Sequence, residues 1–402
     1  MVANKMAARL DPKEWKIVIV DKDEMHYYQP GFLFIPFGVY TPEDVVKPKR
    51  NLLPKRVEVI FGDIELIEPD KNKVTLMDKK TINYDYLVVA TGCYIDPDET
   101  PGLRDGWHKN IFDFYTPTGA TKLHKFLETW QGGRFVLNVA EMPIKCPVAP
   151  LEFVCLVDEY LTRRGIRSRT KLTLMTPLSG AFTKPICNDM LTDMLVAKGV
   201  EVVANAPLAV VTDKVVACPD GKTVPYDLLV TVPPHEGSDL IDEAGLGDGL
   251  GFGLTDKGTL KAKKAERVFL LGDNTNVPTS KAGSVAHFQA EVVVHNLLRE
   301  IAGEAAEPLA DGHANCFIET GFGKAILVDF NYDIQPVPGK FPLPLIGPMT
   351  LLEETRLNHL GKLAFKPIYW HMLLPGRAIP LVGSQMSTRG KQMAVLAARG
   401  HA

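Results

Sequence analysis

A doubly wound α/β architecture in two modules is predicted by three observations. Short Val- and Ile-rich runs end in turn signals and alternate with stretches of helical period. The pattern occurs twice. Residues 57–60 (VEVI) and 84–89 (YDYLVV) recur as 200–203 (VEVV) and 226–230 (YDLLV), at offsets of 143 and 142 residues. Residues 134–139 (RFVLNV) then read as a buried strand feeding a turn and a helix over 151–164, the start of a Rossmann-like βαβ unit. The chain has 402 residues, 46% hydrophobic and 23% charged, enough for two or three domains with cores of their own. A net charge of -3 gives no general attraction for nucleic acid.

The first module carries nucleotide-binding signals in order. Residues 16–21 (KIVIVD) form a strand ending in Asp21, where an acid bonds ribose hydroxyls in dinucleotide folds. A helix over 2–10 precedes it. The strand and G-x-G-x-x-G turn that should come before that helix are not in the sequence, and the expectation is that they lie upstream of Met1. Without such a loop a diphosphate loses two or three charge-assisted hydrogen bonds of ~1.5–3 kcal/mol each. Residues 86–92 (YLVVATG) end in the tight turn Ala90-Thr91-Gly92. Residues 267–273 (RVFLLGD) end in Gly272-Asp273, a glycine for close backbone approach and an acid for the hydroxyls of a flavin chain. Residues 274–283, with Lys281 and Gly283, open a helix over 286–298 whose N-terminal amides suit negative charge on a reduced flavin ring. Together these segments point to FAD.

The second module departs from the dinucleotide pattern at one place. After the 134–139 strand the turn reads Ala140-Glu141-Met142-Pro143-Ile144-Lys145-Cys146-Pro147, with no glycine. A pyrophosphate has nowhere to approach the backbone, and a thiol stands in its place, which argues against NADH and for sulfur chemistry. The other cysteines (Cys93, Cys155, Cys187, Cys218 and Cys316) are dispersed without a C-x-x-C pair, so no zinc or other metal is expected. Cys93, Cys155, Cys187 and Cys218 read as small buried apolar residues. Glu152 is either a first-turn acid favoured by the helix dipole or a proton acceptor. His235 is either a loop histidine or a proton relay.

At the segment Cys146-Pro147-Val148-Ala149-Pro150-Leu151-Glu152 the chain resembles the sulfide:quinone oxidoreductases, within the flavoproteins of two dinucleotide domains and glutathione-reductase-like fold. The resemblance extends to 312–317 (GHANCF), similar to that family's second redox cysteine and a quinone-side aromatic, and to 27–31 (YYQPG), similar to a loop beside the flavin. It implies Cys146 and Cys316 as the redox pair, Glu152 as base, Phe317 at the quinone, and a cofactor site of Asp21, Pro30, Ala90, Thr91, Gly92, Gly272, Asp273, Lys281 and Gly283. Many members carry a third cysteine where this chain has Phe112-Asp113-Phe114-Tyr115, so a two-cysteine reaction is expected. In that reaction sulfide attacks a Cys146–Cys316 disulfide, with or without a bridging sulfur. A persulfide and a thiolate remain, the thiolate on Cys316. Lys281 or the adjacent helix start lowers its pKa. The domains implied are 1–115 (FAD, first part), 116–240 (the Cys-loop domain), 241–310 (FAD, second part) and 311–402 (quinone and membrane).

The tail supports the last assignment. No Asp or Glu follows Glu354, while Arg356, Lys362, Lys366, Arg377, Arg389, Lys391 and Arg399 do. The apolar residues 341–352 (FPLPLIGPMTLL) are followed by 360–374, which mix Phe365, Tyr369 and Trp370 with lysines, as interfacial segments do, although core or subunit packing is the alternative. No leader is read at 1–10 and no run spans a bilayer. The expectation is therefore a peripheral protein on the cytoplasmic face of the inner (plasma) membrane, with sulfide, quinone and the lipid surface as partners and room for a homo-oligomer. A type II NADH:quinone dehydrogenase, a flavocytochrome-type sulfide dehydrogenase flavoprotein and an inactive truncated relative are the rival readings.

Overall fold

The computed structural model describes residues 1–344 and 346–398; Arg399 of the basic tail lies outside the described residues. The second module holds a five-stranded parallel sheet in the order Ile111–Phe112, Leu228–Val232, Gly133–Val139, Thr170–Met175, Glu201–Val203. Its central strands are apolar along most of their length because both faces are covered. The helix Ala149–Arg163 buries Leu151, Phe153, Val154, Val157 and Leu161 against this sheet, and Pro117–Thr129 and Pro185–Ala197 add Leu123, Leu127, Leu191 and Leu195.

The first module repeats the plan with a difference. Ile17–Asp21 pairs in parallel with Val57–Phe61, and Leu87–Val89 with Val268–Leu270, but the two ladders are not hydrogen-bonded to each other. In the second module Gly133–Val139 joins the two corresponding strands. Three-stranded antiparallel meanders follow in both modules: Ile64–Glu68, Lys73–Leu76, Thr81–Asn83, and Val210–Val211, Val215–Ala217, Thr223–Pro225. Their last two strands begin 142 residues apart, as the sequence repeat does.

The C-terminal part forms a sheet in the order Ala314–Gly321, Lys324–Phe330, Met349–Leu351, Gly339–Phe341, against which the helix Arg356–Ile368 packs. Thr355 caps that helix by accepting from the Asn358 N–H. The tail's excess of cations meets acids of the body: Lys362 pairs with Glu152, Lys366 with Asp44, and Lys391 with Asp329 at 2.5 Å in the interior. The aromatic residues after the helix turn inward as well. Phe365, Tyr369 and Trp370 pack on Tyr28, Phe32, Ile35 and Val45, and Trp370 is 5% exposed. The interfacial reading of these three rings is thus corrected. The loop of 27–45 offers them an apolar face, and burying an aromatic ring there gains more than leaving it in water.

Phe153 has no exposed surface and stacks on Phe114 with ring centroids 4.3 Å apart. Phe153→Ala should destabilise the fold by about 3–5 kcal/mol, read as a lower urea midpoint.

Candidate active site

The two thiols singled out in the sequence lie between the second module and the C-terminal sheet, near enough that charge on Cys316 bears on Cys146. Cys146 follows the end of Gly133–Val139 and precedes the helix Ala149–Arg163. Its φ is 48°, a left-handed conformation unfavourable for any residue but glycine. It is held there from both sides: its N–H donates to Lys281 O at 2.5 Å, and its carbonyl accepts from the Ala149 N–H at 2.8 Å and from Tyr115 Oη at 3.4 Å. Cys316 lies in the strand Ala314–Gly321, beside Ser284 of the helix Gly283–Ile301. Both thiols are free and half-buried, and both pack against the same core cluster.

Their electrostatics share three sources. Burial pushes both pKa values up, Cys146 furthest and Cys316 to about 11. The Glu152 carboxylate pushes in the same direction, and charge on Cys316 adds to the effect on Cys146. Lys362 pulls both down, helped at Cys316 by the Ser284 hydroxyl and at Cys146 by the Ala149 N–H. At rest, therefore, the thiols hold their protons, and Lys362 is the cation among the described residues that most favours their ionisation.

Glu152, 0% exposed, is organised around that cation. Its Oε1 accepts from Lys362 Nζ at 2.6 Å and from the Glu319 N–H at 2.9 Å, while its Oε2 is buried with no partner among the described residues. Burial raises the Glu152 pKa and Lys362 opposes this. For Lys362 burial acts downward, but Glu152 and Cys146 outweigh it and the ammonium is stabilised. Lys362 Nζ also donates to Phe317 O at 3.0 Å. Phe317, the predicted quinone-side residue, is half-buried with its ring against Gly361, where an added Cβ would come within 2.8 Å of its Cζ.

Sequence reasoning missed Lys362, Ser284, Glu319 and His359. In the sequence Lys362 is one cation of a basic tail and nothing more, although a tail without acids must find its counter-charges elsewhere. The assignment of Lys281 to the Cys316 thiol is corrected. Lys281 Nζ donates to Asp273 O at 2.8 Å and Thr275 O at 2.9 Å and sits 3.9 Å from the centre of the Phe252 ring. Its charge bears on Cys93 and Asp273, and Lys362 takes the thiol role. Cys93, pushed up to about 12 by burial, shares its surroundings with Asp273, Lys145 and Lys281. His235 is buried and edge-on to Tyr115, and burial takes its pKa down to about 3, so it is neutral in the folded protein.

The residues assigned to a flavin gather where strands end. Ala90, Thr91 and Gly283 are exposed at the end of Leu87–Val89 and the start of Gly283–Ile301. Gly92 (φ 72°) and Gly272 (φ 80°) leave open space where a side chain would stand: nothing lies within 4 Å of a Cβ on Gly92, and the nearest atom to one on Gly272 is at 3.7 Å. Asn274 Oδ1 is buried there without a partner among the described residues. This set fits a flavin and its hydroxylated chain. Asp21 ends its strand, with one oxygen 2.6 Å from Lys49 Nζ. Pro30 opens the turn Gln29–Phe37. At the position where a second dinucleotide would sit, a cleft of ≈ 370 Å³ is lined by Glu99, Thr100, Ala140, Glu141, Leu208, Ala209 and Pro234. A hydrogen bond to Glu236, then burial, raises Glu99 to about 7, and Glu141 adds to it. A cleft of this charge repels a diphosphate.

Breaking the Glu152–Lys362 pair from one side should be costly because it leaves a buried charge alone. Lys362→Met is expected to destabilise by about 3–5 kcal/mol, and adding Glu152→Gln should recover most of that loss. Denaturation midpoints of the two single variants and the double variant measure it.

No family model matches the chain. The mitochondrial sulfide:quinone oxidoreductase of Dictyostelium discoideum is 31% identical over 373 residues, covering 90% of this chain and 80% of that protein. The mitochondrial sulfide:quinone oxidoreductase of Mus musculus is 27% identical over 385 residues, covering 93% and 84%. Among solved structures, the sulfide:quinone oxidoreductase of Aquifex aeolicus superposes with a TM-score of 0.78 at 21% identity, covering 94% of this chain and 89% of that one. With full-length similarity at this level, and two thiols sharing one acid and one cation, the chain belongs to the sulfide:quinone oxidoreductase family.

Proposed function

We propose that this chain oxidises sulfide at Cys146 and Cys316, with Glu152 as proton acceptor and Lys362 as the charge that steadies the ionised sulfur. FAD is the cofactor and a quinone the final acceptor, as in the family. Bound FAD supplies the two-electron relay between sulfur and quinone. Asp273, Gly272 and the Ala90-Thr91-Gly92 turn hold its flavin side, and the Gly283 helix start and Lys281 favour negative charge there.

The chemistry of the residues follows from their placement. Oxidation of the two thiols to a disulfide releases two protons and two electrons, and the quinone takes the electrons. Hydrosulfide then attacks this disulfide, breaking the S–S bond; the incoming sulfur stays on one cysteine as a persulfide and the other cysteine leaves as a thiolate. The proton of the sulfide passes to the unpartnered Oε2 of Glu152. Lys362 and Ser284 favour the thiolate on Cys316. The persulfide and the thiolate then join as a trisulfide, and the two electrons this releases go to the quinone. One observation carries the reading: two half-buried free thiols feel the same carboxylate and the same ammonium.

Membrane attachment is part of the proposal, at exposed side chains within and beside the two C-terminal stretches that the sequence singled out. Among the described residues no helix is long and apolar enough to cross a membrane. Leu357 and Leu360 on one face of Arg356–Ile368 are 43% and 58% exposed, and Ile346 is 78% exposed. These three side chains are the proposed contact with the bilayer that holds the quinone.

Cys146→Ser and Cys316→Ser should each abolish bleaching of the flavin band by sulfide under anaerobic conditions. Glu152→Gln should slow it by about 10²-fold, the lower end for a positioned proton acceptor. Full bleaching rates in both cysteine variants would sink the scheme. Leu357→Ser/Leu360→Ser should reduce co-sedimentation with lipid vesicles while leaving reduction of the flavin by sulfide intact.

A further inference from the structure

Each sulfide oxidised to sulfane sulfur yields two electrons and, starting from hydrogen sulfide, two protons. The electrons go to the quinone. The protons must leave a site whose acceptor, Glu152, has no exposed surface. The polar groups that continue from Glu152 run in one direction. Its Oε1 is bonded to the backbone N–H of Glu319 and to Lys362. The Glu319 side chain is 1% exposed, and both its oxygens lie 2.9 Å from Nδ1 of His359. His359 and Lys362 stand one turn apart on the helix Arg356–Ile368. His359 is 25% exposed and, with Arg163, Phe322, Gly323, Arg356 and Leu360, lines an open pocket of ≈ 380 Å³. Beside these polar groups the site is walled by apolar core such as Phe153, Leu156 and Ile318.

We propose that Glu319 and His359 are the proton outlet of the sulfur site, taking protons from Glu152 past the Lys362 ammonium and releasing them into this pocket. The inference rests on Glu152 as the proton acceptor. No redox step is added; a proton moves from carboxyl to carboxylate to imidazole and then to solvent. The charged and titratable groups facing Glu319 are His359 and Lys362 from the C-terminal helix, Glu152 from the Cys146 helix, and the Tyr40 hydroxyl. Burial outweighs the His359 hydrogen bond and the Lys362 charge and raises Glu319 to about 7. It is thus protonated below neutrality and ionised above it, poised to pass protons near pH 7. Arg163 and Arg356 at the mouth keep an emerging proton from being held there. His359 Nε2 has no partner among the described residues and is the nitrogen left to meet a carrier from solvent.

A structural anchor would explain the Glu319–His359 bond equally well, so the test uses a readout that an anchor does not move. In the FAD-loaded full chain, turnover with sulfide and a soluble quinone analogue is measured against pH at low buffer, with and without imidazole. His359→Ala should lower turnover about tenfold, below the range for a group that itself touches the reacting atoms, and excess imidazole should restore it while leaving the unsubstituted protein unaffected. His359→Gln, which keeps a donor to Glu319, should behave alike and guards against a folding defect. Glu319→Gln should remove the pH dependence centred near 7. Unchanged turnover in both His359 variants, or a loss that imidazole does not restore, overturns the outlet. Glu152→Gln, run in parallel, reports on the acceptor separately: an undiminished rate there, with imidazole rescue of His359→Ala intact, removes Glu152 as the source and leaves the outlet standing.

Discussion

The buried pair of Glu152 and Lys362 is the contact on which the rest of the site depends. Three elements distant in sequence meet at it: the helix behind Cys146, the strand of Cys316 and the C-terminal helix. A carboxylate with no exposed surface costs several kcal/mol to desolvate, and only a close counter-charge with further hydrogen bonds offsets that. Lys362 at 2.6 Å and the Glu319 N–H at 2.9 Å meet the requirement. The C-terminal helix is therefore fixed electrostatically to the sulfur site, and two further cations of the tail are matched to the body in the same way, Lys366 of that helix to Asp44 and Lys391 beyond it to Asp329. The leftover Oε2 of Glu152 is what keeps the pair from being purely structural.

The second module shows how a dinucleotide fold can change its chemistry without changing its sheet. The strand Gly133–Val139 still sits at the centre and still feeds a helix at its C-terminal end. In place of a glycine turn the chain runs through Pro143 and Pro147 and puts a non-glycine residue, Cys146, at φ 48°. The helix start that would face a phosphate faces a thiol instead. Glu99 and Glu141 line the neighbouring cleft with the charge least suited to NADH.

Most of this was legible locally. Hydrophobic runs with turn signals marked the strands, and the sequence repeat foretold two meanders 142 residues apart. Cys146 stood out because it replaces the glycine turn of a dinucleotide fold, and Cys316 and Glu152 because the segments around them resemble the family's. Lys362, Ser284, Glu319 and His359 did not stand out, because their meaning comes from contacts across 31 to 210 residues of chain, which no local pattern reports. The aromatic stretch of Phe365, Tyr369 and Trp370 misled for the same reason. A mixed aromatic and basic run looks alike whether it faces lipid or the apolar loop that here covers it.

The account's central claim is that sulfide sulfur is carried between Cys146 and Cys316. The measurement that addresses it most directly is mass spectrometry of the peptides from protein treated anaerobically with sulfide and quinone, digested without reductant. The claim predicts that the Cys146 and Cys316 peptides are recovered joined, with the mass of one or more extra sulfur atoms between them. Sulfur found on Cys93, or Cys146 and Cys316 recovered separately and unmodified after turnover, would contradict it.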